Sequence, residues 1–174
     1  MENNLKYKKI IILGGGGSGK SSLADRIGRY TGYPVYHLDN LLLDSNWQQK
    51  PKNQWEEISQ VFLTKDVGIV DGNYSSSMPN RVKWTDVIIY IDIPTYVQLW
   101  RIIRRYIRNK LGLDKRCGFP DGSKEKIDMK FILWTYHWNS NHREKLLSML
   151  DLEKDKKVLI IKEARKLDIK SLFE

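Results

Sequence analysis

The chain has 174 residues, 41% of them apolar and 29% charged, and its 30 Lys+Arg against 21 Asp+Glu leave a net charge of +9. These values describe one folded domain with a sizeable core rather than a disordered chain, and the positive excess suits an anionic partner: a nucleotide, a nucleic acid or a membrane surface. The single cysteine, Cys117, excludes an internal disulfide and fits a reducing compartment. No apolar run approaches the roughly 20 residues that span a bilayer, and the apolar run after the basic N-terminus is too short for a signal peptide. The sequence therefore reads as a cytoplasmic protein.

In chain order, Lys9 to Leu13 is a short, branched, apolar run stopped by glycine, the pattern of a buried parallel strand. Ser21 to Tyr30 predicts a helix with Leu23, Ile27 and Tyr30 inward, ended by Gly32 as its C′ residue. Pro34 to Leu38 is a second strand, with Asp39 at its carboxyl end. Residues 40–66 form an excursion with a helix from Trp55 to Leu63, its Ile58, Val61 and Phe62 inward. Val67 to Val70 is a third strand ending in Asp71-Gly72-Asn73-Tyr74, and a serine-rich loop leads on to Arg81. Val87 to Ile91 is a fourth strand ending in Asp92-Ile93-Pro94. An amphipathic helix follows from Thr95, its N-cap, to about Asn109, with Val97, Leu99, Trp100, Ile103 and Ile107 apolar and Arg101, Arg104, Arg105 and Arg108 basic. Residues 111–123 read as a glycine-rich, lid-like loop, Lys124 to Leu150 as a long helix, Val158 to Ile161 as a fifth strand and Asp168 to Phe173 as a closing helix. Short apolar strands alternating with helices predict an α/β fold, a parallel sheet covered on both faces.

The chemistry centres on Gly14-Gly15-Gly16-Gly17-Ser18-Gly19-Lys20-Ser21, which lies between the first strand and the first helix. It fits the phosphate-binding P-loop pattern G-x-x-x-x-G-K-[ST]. Glycines let successive N–H groups converge on a phosphate, and the helix N-terminus adds its dipole. Lys20 can reach the β- and γ-phosphates, Ser21 can ligate Mg²⁺, and Ser22 extends the cradle. The same stretch also fits a dinucleotide fingerprint, Gly14, Gly16 and Gly19, with Asp39 at 20 residues past Gly19. That reading does not call for Lys20-Ser21, and the P-loop reading does.

Asp71 ends an apolar strand and is followed by Gly72, which suits a second Mg²⁺ partner; Asp92 competes, but Pro94 beside it favours a turn role. Arg101 and Arg105 are i, i+4 on one helix and can clamp spreading phosphoryl charge. Arg116 is a lid cation or a solvated one. Asp39 can act as general base toward an acceptor hydroxyl, or as a cap. Asp39, Asp71, Asn73, Tyr74 and Arg81 make the expected acceptor-binding set, Arg81 for an anionic group. The three histidines and Cys117 lack metal-ligand spacing, so no zinc site is expected.

With these residues placed, the chain resembles the nucleoside-monophosphate-kinase group of P-loop proteins, and in particular the bacterial DNA topology modulation proteins classed with adenylate-kinase-related kinases. The resemblance is carried by Ile12 to Ala24, His37-Leu38-Asp39, Val70 to Tyr74, Arg81, Ile91 to Pro94 and Leu99 to Arg105. It implies a three-layer α/β/α core with strand order 2-3-1-4-5, a closing lid, and ATP with Mg²⁺ as phosphoryl donor. Arg101 and Arg105 stand seven and eleven residues past Pro94, the places of the arginines that pack on the adenine and contact phosphate in adenylate kinases. Those kinases continue Asp-Gly-Phe-Pro-Arg, whereas this chain has Asp71-Gly72-Asn73-Tyr74, so the arginine that holds the acceptor phosphate is missing from its place and Arg81 is a candidate substitute.

Together these readings predict an ATP-dependent phosphotransferase acting on a small hydroxyl- or phosphate-bearing acceptor, as a monomer or dimer. The alternative is a nucleotide-binding regulator that associates with DNA through its basic surface.

Overall fold

The computed structural model describes residues 5–44, 48–113 and 129–174. Five strands form one all-parallel sheet: β1 (Lys9–Gly14), β2 (Val35–His37), β3 (Gly68–Asp71), β4 (Val87–Ile91) and β5 (Lys157–Ile161). Their order is β2-β3-β1-β4-β5, the order expected.

Alternation along the central strand builds two cores. Ile11 and Leu13 face one side, with Val70, Ile88 and Tyr90. Ile10 and Ile12 face the other, with Ile69, Val87 and Ile89. On the first side pack α2 (Leu38–Leu42), α3 (Lys52–Leu63), α4 (Met78–Trp84) and α7 (Glu144–Leu152), through Leu42, Phe62, Val82 and Leu146. On the second side lie α1 (Lys20–Thr31) and α8 (Ile169–Phe173), through Leu23, Ile27, Leu172 and Phe173. All four inner residues Ile10 to Leu13 are fully buried. Because both faces are covered, β1 reads as an unbroken apolar run rather than an alternating one. Each such side chain contributes roughly 1.5–3 kcal/mol of burial.

The boundaries follow local chemistry. Gly32 ends α1 in the left-handed conformation, its N–H bonded to the Gly28 carbonyl at 2.8 Å. The Asp168 carboxylate caps α8 by accepting from the Lys170 N–H at 3.0 Å. Several expectations need correction. Tyr30, expected inward, is exposed on α1 and stacks on Phe173. Val61, expected inward, is exposed, because α3 turns Phe62 and Ile58 to the core instead. The segment after Tyr74 is not all loop: α4 follows a short turn at Ser75–Ser77, with Pro79 tolerated in its first turn. On α5 (Thr95–Lys110) the buried residues are Gln98 and Ile102, while Trp100, Ile103 and Ile107 are exposed; Thr95 is the first helical residue and makes no side-chain cap.

The long C-terminal helix is observed as α6 (Met129–Trp138) running into α7 through a wider, π-type turn at Asn139–Arg143. That turn faces the end of β4. The Asn139 side-chain amide donates to the Ile93 carbonyl at 3.1 Å, and Arg143 forms a two-pronged pair with Asp92 at 2.9 and 2.8 Å. Among the described residues, no helix is long and apolar enough to cross a membrane.

Candidate active site

A cleft of about 2630 Å³ opens along the carboxyl ends of the strands, where open α/β sheets hold ligands. The glycine-rich loop forms one wall. Residues 16–23 line the cleft directly, whereas Gly14 and Gly15 are gripped from behind. The Asn73 side chain takes Gly14 at both ends: its Oδ1 accepts the Gly14 N–H at 3.1 Å and its Nδ2 donates to the Gly14 carbonyl at 2.7 Å. A Cβ on Gly15 would lie 2.1 Å from Gln98 Oε1 and 2.7 Å from Trp138 Cδ1, so α5 and α6 press on the loop as only glycine allows. Gly17 adopts φ 69°, and a Cβ there would stand 2.7 Å from the Gln98 carbonyl oxygen. The Ser18 hydroxyl is fully buried inside the loop and has no hydrogen-bond partner among the described residues. A close-packed backbone ring with an orphaned hydroxyl and an adjoining helix N-terminus is a fit for phosphate oxygens.

Two cations meet this ring. Lys20 Nζ donates to the Gly15 carbonyl at 3.0 Å, folding the ammonium over the loop. Arg101 reaches across from α5 and donates to the Ser18 carbonyl at 3.2 Å. Arg105 lines the same cleft one turn further along, and so do Arg104 and Arg108, so the two arginine pairs share one opening. Arg104 also lies over the Trp100 ring, 5.2 Å from its centroid.

Asp71, at the end of β3, is 4% exposed and its Oδ1 lies 2.9 Å from His37 Nδ1. The other ring nitrogen, Nε2, lies 3.0 Å from Asp25 Oδ1 on α1. Burial lowers the His37 pKa, but the hydrogen bond and charge of Asp71, reinforced by Asp25, outweigh it and raise it above the ordinary value. The imidazole thus sits between two carboxylates and fixes which Asp71 oxygen faces the cleft. Ser21 and Asp71 line the cleft with hard oxygen donors, and that donor chemistry fits Mg²⁺. Among the described residues no cluster of three or more His, Cys, Asp or Glu forms a protein cage. A Mg²⁺ ion here would therefore take most of its shell from phosphate and water. Asp92, the rival carboxylate, is engaged by Arg143, and burial followed by Asp92 pushes the Tyr90 phenol up to about 12.

The same cleft carries residues that the sequence assigns to an acceptor. Asp39 lies in the first turn of α2, and the Tyr74 hydroxyl donates to its Oδ1 at 2.8 Å. Burial, then the Asp39 charge, raises the Tyr74 pKa well above its ordinary value. Trp55 stands edge-on to the Tyr74 ring, 5.1 Å between centroids. Asp39, Trp55, Asn73 and Tyr74 all line the cleft.

Arg81 does not join them. It is completely buried and its donors are engaged from within: Nε to Ser77 Oγ at 3.1 Å, and the two terminal nitrogens to the carbonyls of Gly72, Asn73 and Tyr74 at 2.7–2.9 Å. Burial lowers its pKa to about 10, opposed by Asp71 and Tyr74, which leaves it charged at neutral pH. The expectation that Arg81 receives an acceptor's anionic group is corrected: the guanidinium faces its own loop. Arg116 and most of the lid-like segment lie outside the described residues. Sequence reasoning missed the roles of His37, Asp25, Gln98 and Arg143. Only Asp25 carried a local signal, standing one helical turn beyond Ser21.

The sheet order, the loop and the flanking helices are those of the three-layer α/β/α fold of P-loop kinases. No family model matches the chain. Among curated proteins it is similar to threonine synthase-like 1 of Macaca fascicularis, 23% identical over 139 residues. The match covers 71% of this chain, which spans 18% of that relative's length. Among solved structures it is similar to shikimate kinase of Aquifex aeolicus, with TM-score 0.51, 14% identity, and 94% of this chain and 93% of that one covered. It is also similar to a gluconokinase of Sinorhizobium meliloti, with TM-score 0.45, 15% identity, and 82% and 97% covered. At these identities the likeness to the shikimate kinase speaks to the fold.

Proposed function

We propose that this protein is an ATP-dependent phosphotransferase whose acceptor presents a hydroxyl to Asp39. The observation that carries the reading is that the glycine ring with Lys20 folded over it and Asp39 line one cleft. The acceptor oxygen attacks the γ-phosphorus, its bond to the β–γ bridging oxygen breaks, and ADP leaves. The acceptor proton passes to the Asp39 carboxylate. Lys20, Arg101 and Arg105 stabilise the charge that spreads over the transferring group. Ser21 and Asp71 would hold Mg²⁺, which neutralises phosphate charge and orients the donor. Catalysis is then largely positioning and electrostatics. The shikimate kinase likeness is in keeping with a small-molecule acceptor. The His37-Leu38-Asp39 and Asp71-Gly72-Asn73-Tyr74 motifs support, within this proposal, a kinship with the bacterial topology modulation group.

The test is ADP release from ATP with Mg²⁺ against a panel of nucleoside monophosphates, nucleosides and small hydroxylated metabolites, with Lys20→Ala as control. Acceptor-dependent release that the variant loses supports the kinase. ATP binding without any acceptor-stimulated turnover favours the nucleotide-binding regulator instead.

A further inference from the structure

Arg81 is a completely buried cation whose hydrogen bonds hold a loop. A buried guanidinium is costly unless its donors are satisfied. Here three successive carbonyls, Gly72, Asn73 and Tyr74, converge on it, with the Ser77 hydroxyl at Nε. Three carbonyls in a row can point at one side chain only if the backbone between them is held in one conformation. That conformation aims the two intervening side chains in different directions. Asn73 goes to Gly14, at the root of the phosphate loop, with two hydrogen bonds. Tyr74 goes to Asp39, on the acceptor wall, with one. Trp55 packs on the Tyr74 ring and restricts its swing.

We propose that Tyr74 is a positioning residue that holds the Asp39 carboxylate toward the acceptor, and that Arg81 is the clamp that sets Tyr74 against Asp39 and Asn73 against the phosphate loop. Donor and acceptor walls are thereby set relative to one another by a single buried side chain. One Asp39 oxygen is occupied by the Tyr74 hydroxyl, which leaves the other to receive the acceptor proton. The inference rests on the phosphotransferase reading, because Asp39 needs orienting only if it meets an acceptor.

The experiment compares Tyr74→Phe, Arg81→Lys and Asp39→Asn. Three quantities are read: the Kd for Mg²⁺·ATP, steady-state kcat and KM with the most effective acceptor of the panel (water alone if none stimulates), and amide hydrogen exchange over residues 38–43. Tyr74→Phe keeps the ring against Trp55 and removes only the hydroxyl. It is expected to lower kcat about 10- to 100-fold, leave the ATP Kd within about twofold, and speed exchange over 38–43. Arg81→Lys puts a point charge where a fork spanned three carbonyls. It is expected to lower kcat similarly and also weaken ATP binding, through Asn73. In the double variant the two kcat losses should be less than multiplicative, since both act through Asp39.

A merely structural role predicts a lower melting temperature with kcat and KM per folded molecule unchanged, and that result overturns the proposal. If Asp39→Asn abolishes turnover but Tyr74→Phe keeps wild-type kcat, the positioning role is overturned and the kinase reading stands. If Asp39→Asn keeps wild-type turnover, the base assignment fails and the positioning role falls with it. If no condition gives turnover in the wild type, the phosphotransferase reading fails and the positioning role falls with it; where the wild type turns over, unchanged protection over 38–43 in Tyr74→Phe overturns the Tyr74–Asp39 link.

Discussion

Across the cleft, one wall is built of backbone and the other of side chains. On the glycine-loop side, residues 16–22 offer a curled main chain and a helix N-terminus, backed by α5 and α6 so closely that Gly15 and Gly17 have no room for a Cβ. On the side proposed for the acceptor, the same kind of order comes from a network: Arg81 on three carbonyls and Tyr74 on Asp39, with His37 between Asp25 and Asp71 next to it. A backbone site depends on a few contiguous residues, so a change within it acts at once and locally. A side-chain network distributes its work, so the loss of one member is partial and shows in what its neighbours do.

That contrast can be broken by experiment. The largest effect is expected from Lys20→Ala, which removes the ammonium folded over the loop. Turnover should fall roughly 10²- to 10³-fold, measured as acceptor-dependent ADP release; a variant with near-normal turnover would remove the donor wall from the chemistry. Gly17→Ala should come next. It forces φ 69° on a residue with a Cβ and brings that atom 2.7 Å from a carbonyl oxygen. A stability loss of about 1–3 kcal/mol is expected, with weaker ATP binding, read by urea unfolding and calorimetric titration. If alanine here cost nothing, the loop would not be as tightly backed as its contacts imply.

Smaller effects are expected where side chains share the load. Arg143→Ala removes a two-pronged pair with Asp92, but Arg143 is 42% exposed. Solvent screening holds the expected loss to about 1 kcal/mol, by thermal or urea unfolding. The smallest effect is a pH dependence at His37. Its folded-state pKa is raised above the ordinary 6.5, so its stabilisation is fully present below that pH and is lost as pH rises through the folded value. In ligand-free protein with chelator, the melting-temperature gap between wild type and His37→Gln should be widest near pH 5.5 and narrow by pH 8.5. A gap that stays constant, or widens with pH, would mean that the imidazole is not held as a cation between Asp25 and Asp71.

Much of the architecture was legible in the amino-acid order. Ile10 to Leu13 had to be a strand covered on both faces, because a four-residue apolar run halted by glycines has no polar side to give to water. Gly14 to Ser21 was legible as a phosphate cradle for a related reason: its function lies in backbone N–H groups, and glycines in a row disclose where the backbone must be free. Arg101 was marked by its i, i+4 pairing with Arg105 and, through the resemblance to adenylate kinases, by its place seven residues past Pro94; the structure brings it to the Ser18 carbonyl. Helix α4 is not legible in the sequence because it is seven residues long, has proline as its second residue and has too few turns to display a period.

What only the tertiary structure decided is the work of polar side chains. Nothing in the string distinguishes Arg81, saturated by its own loop, from an arginine waiting for an anion; the difference is the direction of three carbonyls, set by how β3 hands the chain to α4. Likewise Asp71 and Asp92 both end apolar strands; the following Gly72 and the nearby Pro94 hint at different roles, and the π-type turn that brings Arg143 to Asp92 shows what occupies the second. Backbone conformation is dictated within a few residues by sterics that sequence encodes directly. The partner of a buried charge is chosen by which distant element arrives beside it, and that is a property of the packed whole.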